Sequence, residues 1–259
     1  MAHKTKITIG IVAIATITMV TCRLLEISFM GVAAKMTASS AFVALALMLG
    51  AWHSRYGRLI LAGLVLSWCG DLFLAGSTEN LFLFGLGSFL LAHVAYTSAF
   101  VSMGINFNWA LGALVPVAVL SVGAAIWLTP FVSVEMTIPV RVYTAVISLM
   151  VVAAWGARGS GGPWLISVGA VLFYLSDLSV AAGQFVQTDF PNYLWGLPFY
   201  FSAQVLLALS VRASSSPATT NVSSIIGRPE PDKPHQSRYT RPESENENTG
   251  TAGHSNGRE

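Results

Sequence analysis

Two aspartates, Asp71 and Asp177, stand inside long apolar runs, LVLSWCGDLFLAG and AVLFYLSDLSVAAG. A carboxylate at depth in a bilayer costs roughly 2.5–3.5 kcal/mol on insertion scales, so an intramembrane aspartate is by default a functional residue. Carboxyl groups in an apolar setting can hold a proton near neutral pH, one of a pair acting as acid while the other stays ionised. Other polar side chains sit within reach in the sequence. Lys35 and Arg141 open apolar segments and could hold a phosphate, although snorkelling at a helix end would account for both. Tyr96, Tyr143 and Tyr200 could orient a carboxylate or a water, or simply anchor at the interface. His93 is the one histidine deep inside an apolar run. It could relay a proton or bond a substrate, or be a satisfied interhelical residue, and Gln204 could bond a substrate. Tyr96 follows His93 by three residues and shares its helix face.

The elements that must carry these residues are membrane helices. The 259 residues are 54% hydrophobic and only 10% charged, against about 25% charged in soluble domains. Six of the twelve acidic residues lie beyond Arg212, which leaves six for the apolar body. Cys22 and Cys69 offer neither a disulfide framework nor zinc-ligand spacing, and no basic domain points to nucleic acid. About 20 apolar residues span a bilayer. On that measure the chain predicts eight spans at roughly 7–25, 32–53, 58–76, 80–103, 108–129, 138–157, 164–186 and 192–212. The first, after HKTK, reads as a retained helix rather than a signal peptide. Lys4, Lys6, Arg55, Arg58, Arg158 and Arg212 fall on one side, and Arg23, Lys35 and Arg141 on the other. That asymmetry puts both termini in the cytoplasm, from an inner membrane if bacterial or the endoplasmic reticulum if eukaryotic. The expected fold is therefore all-α and integral to the membrane, with a membrane domain over residues 1–212. Residues 213–259, rich in Ser, Pro, Asn and Glu, read as a disordered polar tail.

Aligning Asp71 with Asp177 also lays FLFGLGSFLLAHVAY (82–96) over YLWGLPFYFSAQVLL (193–207), pairing Gly85 with Gly196 and His93 with Gln204. The weaker pair GAW (50–52) and AAW (153–155) agrees. The expected arrangement is two tandem four-helix repeats, about 7–103 and 108–212, with a site at their interface. At 1.5 Å of rise per residue, both aspartates come out in the outer half of the bilayer. Lys35, Arg141, Tyr143 and Tyr200 come out near the same level, with His93 and Gln204 one to two turns deeper. This describes a cleft with a cationic rim and a carboxylate floor.

These stretches together resemble the YhhN-like family of lysoplasmalogenases, eight-helix membrane proteins that cleave the vinyl ether of lysoplasmalogens. The resemblance is carried by Lys35, CGDLFL around Asp71, LGSFLLAHVAY with His93 and Tyr96, VYTAVISLM with Tyr143, LFYLSD with Asp177, and GLPFYFSAQ with Tyr200 and Gln204. It covers most of residues 30–210. The family often has proline after the helix-two lysine, where this chain has Met36. The resemblance implies a lysophospholipid substrate and no cofactor. Vinyl ethers hydrolyse by protonation at the β-carbon, capture of the oxocarbenium ion by water, and collapse to a fatty aldehyde and a glycerophospho-alcohol. Two carboxylates can supply the acid, the stabilising charge and the base, as in glycosidases.

Several other chemistries lack their residues. There is no G-x-S-x-G elbow and no H-E-x-x-H motif. A metal held by the two aspartates and His93 conflicts with the expected depths, and nothing beyond the two aspartates matches intramembrane aspartyl proteases. The standing alternatives are a proton-coupled transporter of small molecules and a lysophospholipid-binding protein without activity.

Overall fold

The computed structural model describes residues 2–186 and 191–215, and within these every long element is a helix. The order is α1 (Ala2–Leu24), α2 (Ser28–Met48), α3 (Arg55–Phe73), α4 (Glu79–Val101), α5 (Phe107–Leu128), α6 (Val134–Gly159), α7 (Trp164–Ala181) and α8 (Tyr193–Ser215). A 3-10 turn, Ala51–His53, precedes α3, and a π-turn, Ala182–Val186, extends α7. All eight, with α7 taken through its π-turn, are long and apolar enough to cross a membrane. The polar segment beyond residue 215, read from the sequence as a tail, lies outside the described residues.

Local chemistry sets the breaks. Gly50, at φ 84°, turns the chain after α2, a conformation that costs glycine little. Ser54, Thr78 and Asn106 cap α3, α4 and α5 by accepting from the backbone N–H groups of Gly57, Leu81 and Asn108, groups that have no partner inside their own helices. The α6 helix starts four residues earlier than the apolar run suggests, so Pro139 lies inside it, as Pro116 and Pro198 lie inside α5 and α8.

Apart from α4 and α5, sequential helices pack as neighbours, and α8 closes the bundle by also touching α1, α2 and α3, while α4 packs against α6. Two glycines let α3 lie close to α4. A Cβ on Gly63 would collide with the Tyr96 ring, and one on Gly70 would come 2.6 Å from Phe89 Cε2. Small residues at such crossings allow helices to approach where lipid supplies no hydrophobic drive. The core follows from this contact, with Ile60, Leu64, Phe42, Phe173, Phe201 and Met150 fully enclosed. The α5 helix instead turns Leu111, Val115, Val119 and Ile126 outward, as a helix facing hydrocarbon does.

Candidate active site

Asp71 sits in the last turn of α3 and is 2% exposed. Its Oδ1 lies 3.1 Å from Lys35 Nζ. Its Oδ2 accepts from Ser39 Oγ at 2.5 Å and from Tyr200 OH at 2.7 Å. Lys35 and Ser39 are four residues apart on α2, hence on one face, and Tyr200 arrives from α8. The Tyr200 ring is fixed edge-on against Phe42, Phe89 and Phe173 at 6.3, 5.9 and 5.5 Å. Three donor atoms and their packing therefore hold this carboxylate from both sides.

Asp177, on α7, has a smaller retinue. Its Oδ2 accepts from Tyr143 OH of α6 at 2.6 Å and lies 3.5 Å from His93 Nε2 of α4. Among the described residues no lysine or arginine pairs with it, and its Oδ1 accepts no hydrogen bond. Its side chain is 16% exposed against 3% for Asp71. His93 is wholly buried, edge-on to Phe173 at 4.7 Å and to Tyr143 at 5.3 Å. The two carboxylates are thus joined through aromatic rings, Tyr200 to Phe173 to His93, rather than sharing a partner.

Beneath Tyr200, one turn on along α8, Gln204 Oε1 accepts from Tyr96 OH at 2.8 Å, and Ser67 Oγ lies 3.4 Å from the same hydroxyl. Among the described residues neither His93 ring nitrogen has a hydrogen bond of good geometry, and Gln204 Nε2 has none. Buried polar atoms of this kind cost about 1–3 kcal/mol each when nothing pairs with them.

The depth expected for His93 was one to two turns below the aspartates, and the structure brings it level enough to touch Asp177. Arg141 is exposed and makes no ion pair among the described residues. Lys35 and Arg141 each precede an aspartate by 36 residues; in the second half Tyr143, two positions on, makes the contact instead. Asp71 meets α2 and α8 and Asp177 meets α6 and α4, and the contacting side chains are not ones the repeat alignment pairs, since Tyr200 aligns with Phe89 and His93 with Gln204. Ser39 was not singled out from sequence; its spacing of four from Lys35 is the signal that could have found it. No group of three or more His, Cys, Asp or Glu side chains able to hold a metal forms among the described residues.

A model of the YhhN family matches residues 30–211. A Mycobacterium tuberculosis protein named Lysoplasmalogenase is 36% identical over 137 residues, 51% of this chain and 52% of that protein. The human protein named Lysoplasmalogenase TMEM86A is 34% identical over 164 residues, 61% of this chain and 67% of its own. The human Lysoplasmalogenase TMEM86B is 30% identical over 165 residues, 63% of this chain and 68% of its own. The chain spans about half the length of the mycobacterial relative it matches. No solved structure matches it.

Proposed function

The chain belongs to the YhhN family, and we propose that it is a multi-pass membrane hydrolase that cleaves the vinyl ether of lysoplasmalogens, with both termini in the cytoplasm. The observation that carries the reading is the contrast between its two buried carboxylates. Asp71 is neutralised by Lys35 and saturated by Ser39 and Tyr200. Among the described residues Asp177 faces no such cation and keeps one oxygen open, and it is the more accessible.

The roles divide accordingly. Asp177 is the proton donor to the β-carbon of the vinyl ether. As its proton leaves, the carboxylate it becomes stabilises the oxocarbenium ion forming beside it, and can then take a proton from the attacking water. The hemiacetal collapses by passing a proton to the glycerol oxygen, so the sum consumes one water and gives aldehyde and alcohol. Tyr143 holds the Asp177 carboxyl in position through its hydroxyl. His93 and Gln204 offer buried polar atoms that the protein does not itself pair, suited to orienting the water. Asp71, with Lys35, forms a fixed neutral pair that locks Tyr200 and, through Phe173, the wall behind His93. Tyr96 holds Gln204. Arg141 is exposed, pairs with no acidic side chain among the described residues and takes no part in these steps. The substrate class follows the names carried by the relatives.

The test follows aldehyde release from a lysoplasmalogen by purified protein, with an alkyl-ether lysolipid as control. Asp177→Asn should lose the activity and Asp71→Asn should retain a measurable part of it. Folded wild type that binds lysolipid but releases no aldehyde would sink the hydrolase reading and favour a lipid-binding protein. Vectorial solute uptake into vesicles without aldehyde would favour transport.

A further inference from the structure

A groove of about 550 Å³ runs between α1 and α8. On α1 it extends from Ile9 to Thr21 and on α8 from Leu194 to Leu206, twelve residue steps along each helix. At 1.5 Å per residue this is about 18 Å, slightly more than the roughly 15 Å of hydrocarbon that one leaflet presents. Its lining is apolar apart from Thr16, Thr21 and Ser202. At the Thr21–Leu194 end stands Arg23, exposed, with its guanidinium 5.9 Å from the centre of the Tyr193 ring. One apolar channel of single-leaflet length, with a cation at its mouth, has the shape and charge of a phospholipid bearing one chain.

We propose that this groove docks the hydrocarbon chain of a single-chain phospholipid, with the head-group phosphate at Arg23. The proposal rests on the hydrolase reading for the identity of that lipid as substrate. Lys6 lies beyond the opposite end of the groove, so charge alone does not choose between the ends. Position does. A vinyl ether adjoins the glycerol, so the reacting bond lies close to the phosphate. The carboxylates lie toward the Arg23 end, because Asp71 occupies the last turn of α3 and meets Tyr200 in the first half of α8. The wall between the groove and Asp71 is two rings thick there. Phe201 lines the groove and packs on the Tyr200 ring at 4.9 Å, and Tyr200 bonds Asp71. Pro198, also in the lining, removes the helical donor to the Leu194 carbonyl, which lets the first turn of α8 bend more readily than the rest. Lipid docked in the groove is thereby held on the Asp71 side of the site, and the proton donor Asp177 lies farther on, past Tyr200, Phe173 and His93. Half of this groove is built by α1, which precedes the family match at residues 30–211.

The probe is a lysophospholipid with a non-cleavable alkyl-ether chain and a terminal diazirine, photolysed with the full-length protein in nanodiscs of diacyl phosphatidylcholine. Adducts mapped by mass spectrometry should concentrate around Ile9 and Leu206, where the chain end would lie. Unlabelled alkyl-ether lysophospholipid should compete, and added diacyl phospholipid should not. Ala13→Trp and Ser202→Trp fill exposed positions in the groove and should remove the labelling; Val119→Trp on α5 should not. Arg23→Gln should weaken binding about tenfold, while Lys6→Gln leaves it unchanged. Where turnover is measured, Ala13→Trp should raise KM and spare kcat. Adducts spread over the outward face of α5, or displaced equally by diacyl phospholipid, would overturn the proposal and leave the groove an ordinary lipid contact. Labelling does not depend on chemistry, so the two readings fail separately. Aldehyde release without groove labelling overturns the groove alone, and groove labelling without aldehyde overturns the hydrolase alone.

Discussion

Removing the Lys35 ammonium should destabilise the protein more than removing the charge of its partner. Asp71 is 3% exposed at the side chain and Lys35 is 16% exposed, with their charged atoms 3.1 Å apart. Lys35→Met leaves a carboxylate buried without a counter-ion, a change that costs about 3–5 kcal/mol in buried pairs. Asp71→Asn leaves an ammonium on a long stem that can swing toward the interface. The asparagine also keeps an oxygen for Ser39 and Tyr200. The expected loss is about 1–2 kcal/mol, that of weakened hydrogen bonds. The double variant should be more stable than Lys35→Met alone, because the orphaned charge is gone. Each kcal/mol shifts the midpoint by about 2–4 °C in a domain of this size, so Lys35→Met should melt about 6–20 °C low. The assay is thermal unfolding in detergent, read by fluorescence-detected size exclusion and repeated in guanidinium. Asp71→Asn proving the more damaging single change, or strict additivity of the two, would refute the pairing argument, since contacting charges must couple.

The other tests bear on the second carboxylate and on packing. Asp177→Asn should lower kcat by about 10²–10⁴, the usual contribution of a general acid, measured as aldehyde release at saturating substrate. Tyr143→Phe removes one hydrogen bond to that carboxyl and should cost about 1.5–3 kcal/mol in transition-state stabilisation, read as a ten- to hundredfold fall in kcat/KM with little change in melting temperature. His93→Phe preserves the ring contacts with Phe173 and Tyr143 and should remain folded by circular dichroism while losing activity; unchanged turnover would remove His93 from the chemistry. Gly70→Ala sets a methyl against Phe89 and should destabilise by about 1–3 kcal/mol, visible as a lower melting midpoint.

Composition and apolar run length determined the membrane class and the eight helices, because each helix satisfies its own backbone within a segment and a bilayer fixes that segment's length. The rise per residue also made depth legible, which is why Lys35 with Asp71, and Tyr143 with Asp177, could be set at common levels before any fold was known. Depth says nothing about rotation around a helix axis. Whether Lys35 or Arg141 turns inward, and whether Tyr200 serves Asp71 or its own half's Asp177, depends on which helices pack together. Only the closure of α8 onto α2 and α3, and of α4 onto α6, decided that. Side-chain length adds a second uncertainty of several ångströms, enough to bring His93 to Asp177 from a backbone position that counting sets deeper. Ser39 was hidden because serine is common in apolar helices and becomes a partner only when a neighbouring carboxylate faces it. The two aspartates were identified by their types, and the difference between them arose from tertiary packing: one was given a cation and a full set of donors, the other an open oxygen.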